Sequence, residues 1–112
     1  MIKIEAIIRP SRLEEVKDAL KAIDLTGITI SQVMGCGRQK GYTEIYRGTQ
    51  IDINVLPKIK VEIVIPDSSE EQVIETIIQA ARLGEIGDGK IFVYDVKDAI
   101  RIRTGERGDT AL

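Results

Sequence analysis

The 112-residue sequence predicts an α+β fold, with two helices lying over one face of a four-stranded sheet. Three observations predict it. Two heptapeptides, Ile2–Ile8 and Ile59–Ile65, alternate apolar and polar side chains with the period of a half-buried strand. Each is followed at the same offset by Ser-x-x-Glu and an apolar residue, Ser11, Glu14 and Val16 in one case and Ser68, Glu71 and Val73 in the other, which is a helix-start pattern. Each helical pattern then gives way, past a glycine, to a β-branched or aromatic run, Ile28–Val33 and Ile91–Val96. Two strand–helix–strand units in tandem give the order βαββαβ, a ferredoxin-like sandwich.

In the first unit Ile2, Ile4, Ala6 and Ile8 share one face of the strand. Ser11 and Glu14 form a capping box, and the stripe Leu13, Val16, Leu20 and Ile23 carries the helix to about Asp24, before the break at Gly27. In the second unit Ile59–Ile65 matches Ile2–Ile8 position by position. Ile74, Ile77, Ile78 and Ala81 supply the helix's core stripe, and Gly84 is the candidate for its left-handed cap. The other sheet face mixes Ile7 and Val64 with Lys3, Glu5, Lys60 and Glu62, a composition that suits either solvent or self-association.

More than 20 residues, 35–58, connect the second strand to the third. A connection of that length is functional, disordered, or an extra hairpin. Tyr42–Tyr46 and Ile51–Val55 can pair across a turn at Arg47-Gly48-Thr49. These readings are compatible, since an isolated hairpin is marginal in water and would stay mobile until it met a ligand or partner.

Composition narrows the function. At 43% hydrophobic content the chain has the size of one domain, residues 1–112. A net charge of −2 favours neither nucleic acid nor an anionic membrane, and 4% aromatic content leaves no stacking platform for RNA. The absence of histidine removes triad and ordinary zinc chemistry. The single Cys36 excludes a disulfide scaffold, and no apolar run is long enough for a leader or a membrane span, so a soluble, cytoplasmic protein is expected. No carboxylate pair sits in an apolar setting that would argue for acid–base catalysis.

Three segments combine glycine with cations: 35–41 (GCGRQKG), 87–90 (GDGK) and 101–105 (RIRTG). Glycine lets backbone N–H groups approach an anion, and arginine or lysine adds charge-assisted hydrogen bonds to phosphate. Taken singly, each segment also reads as an ordinary turn or a solvated charge. Lys58, after Pro57, is a cation that could pair with a carboxylate or simply an exposed lysine entering a strand. Gln39 is a surface amide or a hard oxygen donor for a magnesium ion already held by phosphates. Cys36 is a small loop residue or, near Arg38 and Lys40, a reactive thiol.

Taken together, the stretches Gly35–Gly48, Leu56–Val64, Gly87–Val93 and Ile100–Glu106 resemble the PII nitrogen-regulatory family, in the family's order and over the whole chain. The resemblance implies a ferredoxin-like homotrimer with nucleotide sites between subunits and a long mobile loop at 35–58. In it the 84–90 loop, through Gly87, Asp88, Gly89 and Lys90, holds the phosphates of ATP or ADP. Gly35, Cys36, Gly37, Arg38 and Gln39 border them, while Arg101 and Arg103, in the C-terminal segment 97–112, reach in from a neighbouring subunit. Thr29, Glu62 and Val64 meet the adenine, with Ile7 nearby.

The same resemblance implies that 2-oxoglutarate binds only beside magnesium-ATP. Gln39 would ligand the metal, Lys58 would pair with the distal carboxylate, and backbone N–H groups of Gly37, Gln39, Lys40 and Gly41 would complete the site. Implied partners are an ammonium channel, a nitrogen-control transcription factor or a nitrogen-assimilation enzyme, with no direct contact to nucleic acid and membrane contact only through a partner. Ile51 stands where many members carry a tyrosine that is uridylylated. Thr49 falls where another branch carries a phosphorylated serine, and no modification is expected at it. Control by ligands alone, without catalysis, is therefore implied.

Overall fold

The structure, a computed structural model, describes residues 1–36, 42–46, 49–53 and 55–112, with 42–46 and 49–53 described as backbone. The order is β1 (Ile2–Ile8), α1 (Leu13–Ala22), β2 (Thr29–Cys36), β3 (Tyr42–Tyr46), β4 (Thr49–Ile53), β5 (Val55–Ile65), α2 (Glu70–Ala81) and β6 (Lys90–Asp95). Four strands form an antiparallel sheet in the order β2-β5-β1-β6. Two helices pack over it, so the α+β expectation and the repeat of strand–helix–strand both hold.

Period-two patterning dictates the core. β1 and β5 are the central pair, and their register, from Ile2↔Ile65 to Ile8↔Ile59, stacks the apolar faces of both on the helix side. Ile2, Ile4, Ala6, Ile8, Ile59, Val61, Ile63 and Ile65 are all buried there against Val16 and Leu20 of α1 and Val73, Ile77 and Ala81 of α2. The two helices cover the centre and leave the sheet margins bare. Ile30 and Met34 on β2 and Val93 on β6 lie on the helix side yet remain exposed. Among the described residues no helix is long and apolar enough to cross a membrane.

Several local expectations are corrected. Neither capping box forms: residues Pro10–Arg12 and Asp67–Ser69 make 3₁₀ turns ahead of the helices. The helix N-caps are Arg12 and Ser69, without side-chain hydrogen bonds. Proline is the reason. It fixes the backbone angle at the start of each turn, and the Arg12 and Ser69 N–H groups are satisfied by the carbonyls of Arg9 and Pro66.

Gly84 has φ +86° as a left-handed residue should, but α2 ends at Ala81 with an extended Arg82 as its cap, so Gly84 belongs to the following turn. α1 stops at Ala22, ahead of the expected end at about Asp24, and Asp24 itself takes a left-handed conformation.

The long connection is more regular than its length suggested. β2 and β5 stay paired as far as Cys36↔Val55, so Gly35, Cys36 and Val55–Lys58 are strand residues. The extra hairpin is present, with β3 and β4 paired from Tyr42↔Ile53 to Tyr46↔Thr49. Thr49 is thus in the strand, not the turn, and Val55 starts β5. Gly37, Arg38, Gln39, Lys40, Gly41, Arg47, Gly48 and Asn54 lie outside the described residues.

Candidate functional site

The site is built where the loop 82–89 returns to the sheet, at the end of β1. Asp88 organises this loop. One of its carboxylate oxygens accepts the N–H groups of Leu83 (3.1 Å), Gly84 (2.9 Å) and Glu85 (3.3 Å), and the other accepts Arg9 Nε at 3.2 Å. Partial burial alone would raise the Asp88 pKa, but those N–H groups and the Arg9 guanidinium outweigh it and hold the carboxyl below its usual range. Asp88 therefore spends its charge inside the loop, a use that the sequence did not signal.

Two cations from the sheet grip the next carbonyls. Arg9 Nη2 donates to the Ile86 carbonyl at 3.0 Å, and Lys58 Nζ donates to the Gly87 carbonyl at 2.8 Å. In a trans peptide the carbonyl and the N–H point opposite ways. Drawing the Ile86 carbonyl toward Arg9 therefore turns the Gly87 N–H to the other side of the loop. Lys58 is 9% exposed, and burial first, then the nearby Arg9 charge, push its pKa below the usual lysine value, against the pull of Asp88. The buried position removes the reading of Lys58 as an exposed lysine entering a strand.

Gly89, with φ +101°, passes so close to β1 that a Cβ on it would stand 1.7 Å from the Ile7 carbonyl oxygen. Only glycine fits. Lys90 then opens β6 opposite Ile7, on the sheet face away from the helices. The loop thus offers glycine backbone, a Gly87 N–H turned away from Arg9 and an exposed lysine in one place, a donor set suited to an oligophosphate.

Ile7, Thr29, Glu62 and Val64 all lie on that same face, with Thr29 opposite Glu62 in the β2–β5 register. Glu62 and Glu5 face each other across β1 and β5, a repulsive pair that Lys60 bridges (3.6 Å to Glu5, 3.5 Å to Glu62) and Lys3 helps neutralise. Tyr94 Oη donates to Glu5 at 2.8 Å, and this bond, more than Lys60 and Lys3, holds the Glu5 carboxyl low against its desolvation.

Arg101 and Arg103 are placed elsewhere. β6 runs away from the loop to Asp95, and the next residue, Val96, donates its N–H to the Met1 carbonyl at the other end of β1. Six strand residues span about 20 Å. Beyond them Asp98 ties down the C-terminal segment by accepting Arg107 Nη2 at 2.7 Å and the N–H groups of Ala99 and Gly108, and Ile100 bridges to Arg107. Within that turn Arg101 Nη2 donates to the Leu112 carbonyl at 3.2 Å, Arg103 is exposed, and Ile102 between them is fully exposed.

Of the expected site residues, the structure therefore gathers Lys58, Gly87, Asp88, Gly89, Lys90 and Ile7, with Gly35 on the neighbouring strand facing the Lys58 stem, which a Cβ there would touch. It sets Arg101 and Arg103 apart. Gly37, Arg38, Gln39, Lys40 and Gly41 are outside the described residues. Arg9 was missed, although an arginine held extended by the proline after it, at the end of a strand, was a signal available in Arg9-Pro10.

Comparison with known proteins adds a second, independent line. A sequence model of the family described as "Nitrogen regulatory protein P-II" matches residues 1–106. The chain is 59% identical over 112 residues to a nitrogen regulatory protein P-II of Rhodospirillum rubrum and 53% identical over 112 residues to nitrogen regulatory protein P-II 1 of Escherichia coli, covering 100% of both chains in each case. Among solved structures it is similar to Arabidopsis thaliana PII bound to citrate, with a TM-score of 0.82 and 47% identity, covering 99% of this chain and 91% of that one.

Proposed function

Because the chain belongs to the nitrogen regulatory protein P-II family, we propose that it is a ligand-operated signalling switch that binds ATP or ADP and, with magnesium-ATP, 2-oxoglutarate. The observation that carries this reading is the 2.8 Å bond from Lys58 to the Gly87 carbonyl. It joins the cation expected to meet a keto acid to the loop expected to meet the phosphates. Two ligands bound on either side of one contact have a direct route to influence each other.

The fit of the loop to a phosphate chain rests on Gly89, whose close pass over Ile7 leaves room for backbone only, and on Lys90 beside it. Arg38 would add charge to the phosphates and Gln39 an oxygen for magnesium. Magnesium would join the phosphates to the keto acid, and ADP, which lacks a γ-phosphate, would hold it less well. Ligand state would bias the residues that follow Cys36 and hence partner choice among a channel, a transcription factor or an assimilation enzyme. No turnover is needed.

A trimer belongs to the same proposal. Among the described residues β2 and β6 are the edge strands of the sheet, the margins beside them expose Ile30, Met34 and Val93, and Arg101 and Arg103 sit a strand's length from the loop of their own chain. Cations so placed would complete a phosphate site most simply on a neighbouring copy.

Calorimetry tests the reading. ATP binding should tighten when 2-oxoglutarate and magnesium are present together, with negligible ADP formed over the titration. Sustained hydrolysis would favour an ATP-using enzyme, and no heat beyond dilution would favour a plain interaction domain. Arg101→Ala should weaken ATP by roughly 1.5–3 kcal/mol, the range of one charge-assisted hydrogen bond. Unchanged affinity in that titration would remove Arg101 from the site.

A further inference from the structure

We propose that Arg9 is a positioning residue for the oligophosphate site: its guanidinium fixes the loop 86–88 by gripping the Ile86 carbonyl and the Asp88 carboxylate at once. The inference rests on the nucleotide reading above and extends it to a residue that acts on the ligand through the loop it holds. Pro10 holds Arg9 extended, with φ −65° and ψ 139°, at the point where the chain leaves β1. From there the side chain is half-buried and its two donors are divided, Nε to Asp88 at 3.2 Å and Nη2 to Ile86 at 3.0 Å.

The division matters physically. Asp88 gathers the N–H groups of residues 83–85 with one oxygen, so Arg9 on the other oxygen anchors the front of the loop to the sheet. The second donor, on Ile86, sets the orientation of the next peptide and thereby the direction of the Gly87 N–H. A lysine in the same place is a point charge with one nitrogen and does not reproduce a fork between acceptors that belong to two residues. Preorganised N–H groups bind an anion without the cost of ordering the loop first.

Positioning and simple charge predict opposite results at Asp88. If Arg9 acted only as a distant positive charge, Asp88→Asn would remove a negative charge from the neighbourhood and strengthen ADP binding. If Arg9 acts through the fork, Asp88→Asn releases the loop and weakens it. The experiment is competition binding of ADP and of adenosine, which lacks phosphates, to full-length wild type, Arg9→Met, Arg9→Lys, Asp88→Asn and the Arg9→Met/Asp88→Asn double variant.

Expected are an ADP loss of about tenfold for Arg9→Met and for Asp88→Asn, no greater loss in the double variant, incomplete rescue by Arg9→Lys and unchanged adenosine affinity throughout. Tighter ADP binding by Asp88→Asn, additive losses, full rescue by lysine, or equal losses for ADP and adenosine would each overturn the assignment. Wild type that binds no ADP would instead refute the nucleotide reading on which it stands.

Discussion

Gly89→Ala is expected to abolish measurable ATP and ADP binding while leaving the core folded. The added Cβ would stand 1.7 Å from the Ile7 carbonyl oxygen and 2.9 Å from the carbonyl carbon. Both atoms belong to β1, which is paired on each side, with β5 and with β6, and has no freedom to retreat. The loop must move instead. The φ of +101° adds strain, because a side chain rarely adopts it, and strained backbone of this kind costs roughly 1–3 kcal/mol by itself.

Displacement at residue 89 also pulls on Lys90, the first β6 residue and the partner of Ile7, so the phosphate lysine moves with the backbone that should cradle the phosphates. Gly84→Ala is the control: φ is +86° but nothing lies within 4 Å of its Cβ, so it carries strain without a clash. Urea denaturation should show both variants destabilised, and calorimetry should show binding lost only for Gly89→Ala. ATP affinity close to wild type in Gly89→Ala would mean that this loop is not the phosphate cradle.

The central strands were legible because their pattern is local and doubled. Alternation in Ile2–Ile8 and again in Ile59–Ile65 fixes which face of each strand is buried, which is why both strands and their core residues could be read before their pairing was known. The pattern Ser-x-x-Glu misplaces the helix starts because it permits a capping box without enforcing one. With Pro10 and Pro66 just ahead, the chain satisfies its first N–H groups by 3₁₀ turning and leaves the serines without a capping role.

The site was only half legible for a different reason. Glycines and cations announce an anion-binding loop from composition alone, but what holds that loop comes from far away in the chain. Arg9 and Asp88 are 79 residues apart, and Lys58 and Gly87 are 29 apart. No periodicity encodes such contacts. Only the register of β1 with β5 and β6 brings Ile7, Lys58 and Gly89 into one corner, and that register becomes visible only once the sheet is assembled.

Lys58→Ala should cost ATP affinity little, because Arg9 still anchors the loop through Asp88 and the Ile86 carbonyl, and should remove the tightening by 2-oxoglutarate, a loss of about 3 kcal/mol if one buried charge-assisted pair is deleted. An ammonium has three donors, and the Gly87 carbonyl takes one of them, so a carboxylate can be accepted without first breaking the loop contact. The acidity of Lys58 gives a second readout. Because burial and the Arg9 charge lower its pKa, the protonated form that a carboxylate needs is lost at a lower pH than for an exposed lysine.

The sign follows from linkage. Affinity for 2-oxoglutarate is full below the Lys58 pKa of the free protein and falls as pH rises through it, and binding in that range takes up a proton, since the carboxylate raises the pKa it meets. In the folded protein without ligand, the same depression means that protonated Lys58 opposes folding below that pKa, an opposition that fades as pH climbs toward 10.5. Titrations of 2-oxoglutarate against the ATP-loaded protein at rising pH, in two buffers of different ionisation enthalpy, would reveal that uptake. A keto-acid response that survives in Lys58→Ala, with the same pH profile, would mean that the distal carboxylate is held elsewhere and that the contact with Gly87 is only part of the loop's anchorage.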